Sequence, residues 1–219
     1  MKKPCKALIF FAVPEEARPF HAPTGVEVIV TGMGQAAARR AARAAFECFD
    51  PELVLTCGFA GALSAEVPLH TLLFNADAPV HLHGPLQEAG ARPVRFHCAE
   101  RVLVTAAEKA AAHRATKCEA VEMESAVIHE LCRQRKLPCV TLRVVSDIAS
   151  EDLPLDFNQF TTSDGKTNLP KLVAHVLLHP GRIPGLLRFA KQTGQAACAL
   201  AAALRKFLSA QGITQSSRV

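Results

Sequence analysis

The chain has 219 residues, 49% of them hydrophobic, and carries a formal net charge of +5 with no Trp or Tyr. This length suits one globular domain, and because no apolar run reaches about 18 residues we expect no membrane-spanning helix. The eight cysteines include no CxxC pair and no cluster with histidine, so we expect reduced thiols in a cytoplasmic protein without a disulfide framework or a metal site.

The first third of the chain alternates apolar runs with helical patterns. A short helical segment opens at Pro14, and an Ala/Arg-rich helix ends where Asp50 and Pro51 break it. The predicted elements of this part are strands over residues 6–13, 26–31 and 52–57 and a helix over residues 35–49. A strand–helix–strand order of this kind is typical of parallel sheets with right-handed crossovers.

The rest of the chain continues the α/β pattern, less clearly over residues 58–101, where we expect His81 and His83 to lie in loops. The predicted strands here are residues 72–75, 94–98, 101–105 and 138–145, and the predicted helices are residues 106–115, 126–136, 170–179 and 184–208. Gly194 could interrupt the last helix. We therefore predict an α/β fold with one domain over residues 1–219, a mixed, mostly parallel central sheet flanked by helices, and a basic helical tail over about residues 168–210.

Polar clusters follow two of the apolar segments. Glu122, Met123 and Glu124 stand where a short apolar run turns into a helix, and Ser146 with Asp147 closes the buried strand at 138–145. Ligands of open α/β sheets bind beyond the carboxyl ends of the strands. Both clusters are therefore expected to face one pocket, where carboxylates can bind hydroxyl groups and move protons.

These residues resemble a known family. The Met123-Glu124 and Ser146-Asp147 steps, together with Glu15-Glu16, the run 58–61 and the run 151–158, are similar to the purine nucleoside phosphorylase and methylthioadenosine/adenosylhomocysteine nucleosidase superfamily. Residues 179–180 and 186–191 look most like its hopanoid-associated phosphorylase branch. The resemblance implies a three-layer sandwich fold and cleavage of the N-ribosidic bond of a purine, here adenine, nucleoside with a 5′ substituent. It implies no cofactor, with inorganic phosphate as an optional co-substrate.

The resemblance also assigns roles to the carboxylates. Asp147 would protonate N7 of the leaving purine, with Ser146 orienting it, although an Asp at this point could simply cap a turn. Glu124 would accept hydrogen bonds from the ribose hydroxyls beside Met123, whereas acids at a helix start are also favoured by the helix dipole. Glu122 could support the site or belong only to that helix start.

The nucleophile is left open between water and phosphate. Glu16, preferred to Glu15 by register, matches the residue that positions water in hydrolytic members, and its charge would repel phosphate. The hopanoid branch instead implies phosphorolysis. The chain departs from the family where Phe59 replaces a common Ser and Thr56 replaces an arginine of some phosphorylases; Phe59 could form an apolar wall for the substrate or belong to the core.

The sequence also leaves other functions and partners open. A methylthioadenosine/adenosylhomocysteine hydrolase proper and a non-catalytic nucleoside-binding module are the alternatives. Nucleic-acid binding would rest only on the basic tail, which has eight basic and no acidic residues after Asp164, and it is not expected. Family resemblance implies a homodimer. The amphipathic helix at 184–208 is expected to pack on the sheet, and the tail could also make weak peripheral contact with an anionic membrane.

Overall fold

The computed structural model describes residues 1–162, 164–166 and 168–214. Its strands are β1 (Lys3–Phe11), β2 (Val26–Val30), β3 (Phe49–Ala62), β4 (Leu72–Asn75), β5 (Ala91–Val94), β6 (Phe96–Cys98), β7 (Ala120–Glu122) and β8 (Cys139–Asp147). Its helices are α1 (Pro14–Ala17), α2 (Gln35–Cys48), α3 (Val80–Glu88), α4 (Ala106–Thr116), α5 (Ser125–Arg135), α6 (Leu169–Leu178) and α7 (Ile183–Ala210), with 3₁₀ turns at Phe157–Phe160 and Pro180–Arg182.

The strands form one eight-stranded sheet in the order β2-β1-β3-β8-β4-β5, with β7 and β6 added beside the end of β3. Pairing is parallel among β2, β1, β3 and β8, whereas β4 runs antiparallel to β8. The predicted single-domain α/β fold with a mostly parallel sheet is confirmed.

The three central strands end side by side, and this places the candidate site. Phe11 of β1 pairs with Cys57 of β3, and Gly61 of β3 pairs with Asp147 of β8. Residues 12–16, 58–61 and 146–147 therefore meet at one edge of the sheet. Crossover connections put helices on both faces, as expected for strands that are apolar throughout.

The two faces of the sheet carry separate apolar cores. On one face, α2 and α5 cover Leu8, Phe10 and Val54. On the other, α7 packs its buried stripe, including Leu200, Leu204 and Phe207, against the sheet and α3. The stripe recurs at helical spacing, which is why this end of α7 is held in place.

Four sequence-based predictions need correction. The helix ends at Cys48, close to the predicted break, but β3 begins at Phe49 and not at residue 52, so Asp50 and Pro51 belong to the strand. A strand start tolerates proline because the missing N–H is not needed there. Gly194 does not interrupt α7, which is continuous. His81 and His83 lie on α3 and not in loops.

The predicted strand at residues 101–105 is also wrong. These residues bond to side chains and not to a neighbouring strand: Val102 N–H donates to the Asn158 side chain at 2.9 Å, and Val104 N–H donates to Glu108 Oε2 at 2.8 Å. Over the described ranges, none of the helices combines the length and the apolar character needed to cross a bilayer.

Candidate active site

A cavity of about 550 Å³ opens at the carboxyl ends of the central strands. All seven residues singled out from the sequence line it, namely Glu16, Phe59, Glu122, Met123, Glu124, Ser146 and Asp147. Residues up to 131 positions apart in the chain meet here because β1, β3 and β8 end at one edge.

Glu16 is held rigidly by backbone donors. Its Oε2 accepts N–H bonds from Ala12 at 2.8 Å and Val13 at 3.1 Å, and its Oε1 accepts one from Phe59 at 2.7 Å. Burial raises the pKa of the Glu16 carboxyl, while Arg143 and these three donors oppose that effect. Glu15 also lines the cavity, but its side chain is exposed. A buried carboxylate with a raised pKa is suited to accept a proton.

Glu122 is the last residue of β7, and its carboxylate binds the backbone at the start of α5. Its carboxylate accepts the N–H groups of Glu124 at 2.9 Å and Ser125 at 2.7 Å, and it also accepts the Ser125 hydroxyl at 2.7 Å. Although burial alone would raise the pKa of Glu122, Arg143 and these donors hold it below its ordinary value. Its lone pairs are thus engaged within the protein, so Glu122 supports the site more than it offers acceptors to a ligand.

Glu124 has more freedom to bind a ligand. Its Oε1 accepts the N–H of Gly34 at 2.9 Å, and its Oε2 lies 3.3 Å from Arg143 Nη2. Burial, followed by the nearby charges of Glu122 and Glu16, raises the pKa of Glu124 to about 7, against the pull of Arg143 and Gly34. The turn before α2, where Gly32 and Gly34 both have φ of 86°, thus presents a backbone donor to this carboxylate.

Arg143 is the cation at the centre of these three carboxylates. It lies in the middle of β8 with 1% of its surface exposed, and its Nη2 is 2.7 Å from Glu122 Oε2. Its guanidinium also donates to Cys57 O and to Thr56 Oγ1. Although burial would lower the pKa of Arg143, the three carboxylates raise it further above its ordinary value. A buried charge on a strand is tolerated only with such partners.

Asp147 ends β8 between two donors. Ser146 Oγ donates to Asp147 Oδ1 at 2.7 Å, the arrangement expected from the sequence. Lys109 of α4, fully buried, places its Nζ 2.6 Å from Asp147 Oδ2. The Asp147 side chain is 14% exposed, toward the cavity. Asp147 therefore does not cap a helix; it faces the cavity as a paired carboxyl group.

The remaining predicted residues shape the cavity wall. Phe59 is half-buried, packs against the main core and also lines the cavity. It is thus a core residue that is also available to form an apolar wall for a ligand. Met123 lines the cavity beside Met33, the residue between the two turn glycines. These side chains give an apolar surface next to the polar cluster.

The outer part of the cavity is apolar. It is closed by the loop after β8, by α6 and by the first turns of α7, whose contributing side chains are Leu153, Phe157, Leu172, Val176, Leu186 and Phe189. Phe157 and Phe189 pack against each other with ring centroids 5.5 Å apart. The cavity therefore joins a carboxylate-rich inner end to a hydrocarbon-like outer end.

Two site residues were not identified from the sequence. Arg143 carried a signal, because an arginine within the apolar run 138–145 is unusual. Lys109 carried none, since it stands in an Ala-rich helix that also contains the exposed Arg114. Within the described ranges, no three His, Cys, Asp or Glu side chains are arranged to hold a metal ion.

Comparison with known proteins agrees with this architecture. The sequence model of the phosphorylase superfamily matches residues 81–178. Over these residues the chain is therefore similar to the phosphorylase superfamily. Among curated relatives, the 5′-methylthioadenosine/S-adenosylhomocysteine nucleosidase of Shewanella sediminis is 26% identical over 68% of this chain and 81% of its own length, and that of Shewanella loihica is 29% identical over 64% and 77%.

Solved structures show the same fold at lower identity. The 5′-methylthioadenosine/S-adenosyl homocysteine nucleosidase of Helicobacter pylori superimposes with a TM-score of 0.67 at 16% identity, covering 95% of this chain and all of that chain. The futalosine hydrolase of the same organism gives 0.66 at 17% identity, covering 94% of this chain and 98% of that chain.

Proposed function

We propose that this protein cleaves the N-ribosidic bond of an adenine nucleoside. The observation that carries the proposal is the convergence of Glu16, Glu124 and Asp147 on one cavity, each held by identified donors. The nucleosidase names of the relatives support the same reaction class. A module that only bound nucleosides would not need a buried, paired carboxyl group at the base end.

The chemistry follows from the placement of each group. Asp147 gives a proton to N7 of the purine while the bond between C1′ and N9 breaks, and the electron pair of that bond goes to the base. Glu124 accepts hydrogen bonds from the ribose hydroxyls, and the carboxylates around it stabilise the positive charge that develops on the sugar. Met123 and Phe59 form the adjoining apolar wall.

Water is the nucleophile that the electrostatics favour. Glu16 can take a proton from water, since burial raises its pKa toward the working range of a general base. The nearest buried cation, Arg143, is already surrounded by Glu16, Glu122 and Glu124. Arg101 also lines the cavity, but it is paired with Glu108. Among the described residues that line the cavity, a phosphate ion would therefore meet carboxylates and cations that already have partners. Phosphorolysis, implied by the likeness to the hopanoid-associated branch, is the second candidate.

The test is adenine release from a panel of 5′-substituted adenosines, with and without phosphate. We expect release without phosphate, and strict phosphate dependence would contradict the water mechanism. Asp147→Asn should lower kcat by roughly 10²-fold or more, because the proton donor is lost. The control is Asp152→Asn, an exposed acid outside the cavity. Unchanged turnover in Asp147→Asn would refute the assigned acid.

The 5′ substituent is proposed to be apolar. The outer end of the cavity is lined by Leu153, Leu172, Val176, Leu186 and Phe189, and each buried CH₂ would contribute about 0.8 kcal/mol to binding. In the substrate panel, KM should therefore fall as the alkyl chain at the 5′ position lengthens. A preference for charged 5′ groups, such as the amino-acid end of adenosylhomocysteine, would refute this assignment.

The outer surface of this same region is proposed to touch an anionic membrane. Among the residues whose burial the structure describes, five of the eight exposed large hydrophobic residues cluster here, namely Val173, Leu177, Leu178, Ile183 and Leu187, with exposures from 39% to 78%. Lys171, Arg182, Arg188 and Lys191 are exposed around them. Each basic residue near such a surface contributes roughly 1 kcal/mol, so the apolar and basic groups would act together.

Vesicle sedimentation tests this contact. The protein should pellet with vesicles containing anionic phosphatidylserine at low salt and be partly released at high salt. Leu177→Gln with Leu178→Gln should remain in the supernatant, and Val80→Gln, an exposed apolar residue on α3, serves as the control. Failure of the wild type to bind vesicles would exclude the membrane role.

We further expect a homodimer in the cytoplasm. The compartment is supported by eight free cysteines, which a reducing environment maintains. Light scattering tests the dimer: a monomer would refute it, and a dimer dissociated by the double glutamine variant would assign the apolar face to the dimer interface in place of the membrane.

A further inference from the structure

Lys109 is the most unusual buried group outside the predicted set. Its side chain is fully buried on α4, and its three ammonium donors all have acceptors. Two are backbone carbonyls of the loop after β8, Ile148 O and Glu151 O, each at 2.9 Å. The third is Asp147 Oδ2 at 2.6 Å. The ammonium is thus aimed at the group proposed to protonate the base.

The bonds from Lys109 to the loop after β8 do not by themselves explain why a charged lysine is buried at this position. The same loop makes two other bonds to α4 and to the segment just before it, from Ala106 N–H to Asp152 Oδ1 at 2.7 Å and from Leu153 N–H to Val104 O at 2.8 Å. A neutral donor would satisfy both carbonyls at a lower desolvation cost than a buried cation. What the positive charge adds is an interaction with Asp147.

The ammonium makes the two oxygens of Asp147 different. The lysine ammonium has three donors and no acceptor. The Asp147 oxygen that contacts it must therefore accept a hydrogen bond and cannot donate one to Lys109. Because Lys109 occupies Oδ2, Oδ1 is the oxygen from which Asp147 would pass a proton to the base. Ser146 Oγ, which donates to Oδ1 at 2.7 Å, fixes the orientation of that oxygen.

We propose that Lys109 is a positioning residue for Asp147, holding its carboxyl group toward the leaving base and stabilising the carboxylate that remains after proton transfer. In the step, the C1′–N9 bond breaks, its electron pair goes to the purine, and the proton moves from Asp147 Oδ1 to N7. The carboxylate left behind lies beside the Lys109 ammonium. This inference rests on the proposed nucleoside cleavage.

The test compares two leaving groups. Adenine leaves well only when it is protonated, whereas 4-nitrophenolate leaves from 4-nitrophenyl β-D-riboside as a stabilised anion without a proton. Lys109→Ala should lower kcat for the adenine nucleoside by roughly 10²-fold, with KM changed less than threefold. For the nitrophenyl riboside, kcat should remain within about threefold of wild type.

A structural role would give a different pattern. If Lys109 only supported the fold, Lys109→Ala would impair both substrates equally, and this outcome would overturn the proposal. Ethylammonium added to Lys109→Ala should restore adenine release with saturation, while tetramethylammonium, which has no N–H donor, should not. Arg114→Ala removes an exposed cation from the same helix and is the matched control.

Poor folding of the alanine variant is addressed with Lys109→Met, which retains most of the side-chain volume and should show the same selective loss for adenine. The proposed function fails separately, when wild-type protein cleaves neither substrate. If wild type cleaves both substrates and the Lys109→Ala and Lys109→Met variants are as active as wild type, only the role of Lys109 is overturned.

Discussion

Glu124 is expected to reduce the stability of the fold that it serves. Its pKa is raised to about 7 from an ordinary value of 4.5, first by burial and then by Glu122 and Glu16. The folded state therefore binds more protons than the unfolded state between these values, and the free energy of unfolding falls as pH rises through this window. A pKa difference of about 2.5 corresponds to about 3 kcal/mol.

Glu124→Gln should remove this pH-dependent cost. Glutamine has a similar shape, can still accept the Gly34 N–H, and cannot ionise. We expect wild type and variant to have nearly equal free energies of unfolding at pH 5, and the variant to be more stable by up to about 3 kcal/mol at pH 8. Urea denaturation at several pH values measures the difference. Turnover should fall, because the ribose hydroxyls lose their carboxylate.

The control is Glu130→Gln, which removes a carboxylate that is 41% exposed and pairs with Arg39 on the surface. Its effect should be below about 1 kcal/mol and nearly independent of pH. If Glu124→Gln is instead less stable than wild type at pH 8, the attraction of Arg143 outweighs the cost of burying Glu124, and the reasoning is refuted.

Two further predictions concern the same cluster. Arg143→Met leaves Glu122 and Glu124 buried without their cation, so we expect the free energy of unfolding measured in urea to fall by about 3–5 kcal/mol. The loss should be smaller at pH 5 than at pH 8, because protonation relieves the unpaired carboxylates. An equal loss at both pH values would contradict this. Glu16→Gln should lower kcat by roughly 10²-fold while nucleoside binding by calorimetry persists, whereas Glu47→Gln, an exposed carboxylate on α2 outside the cavity, should be silent. Equal effects would remove Glu16 from the mechanism.

Residue types and order were enough to predict the central sheet and the polar residues at its edge. Apolar runs between helical patterns identified β1, β2 and β8, and a carboxylate directly after a buried strand is visible in the sequence at Asp147. Resemblance added Glu16, which no local pattern distinguishes from Glu15. The structure separates the two, since Glu16 is buried under backbone donors and Glu15 is exposed.

What the sequence did not predict depends on long-range contacts. α3 contains Gly84 and Pro85, which suggest a loop, yet Leu82 and Leu86 are buried in the core and hold it as a helix. Lys109 resembles any solvated helix lysine until the loop after β8 encloses it. Local propensity does not predict either feature, because both depend on burial by distant segments. Lys109 is buried by a loop about forty residues further along the chain, and α3 is buried by the sheet and α7.

The placement of α6 separates the part of the cavity that would select the substrate from the part that holds the reacting groups. None of its described side chains is buried. Apart from Thr193 of α7, the lining that α6 and α7 contribute to the cavity is apolar, whereas every carboxylate that lines the cavity comes from residues 15–147. Exchange of one contiguous tail segment could therefore alter which nucleoside is accepted and leave the reacting groups untouched. Descendants of such a chain could diversify in substrate choice by recombination at a single junction near the end of β8.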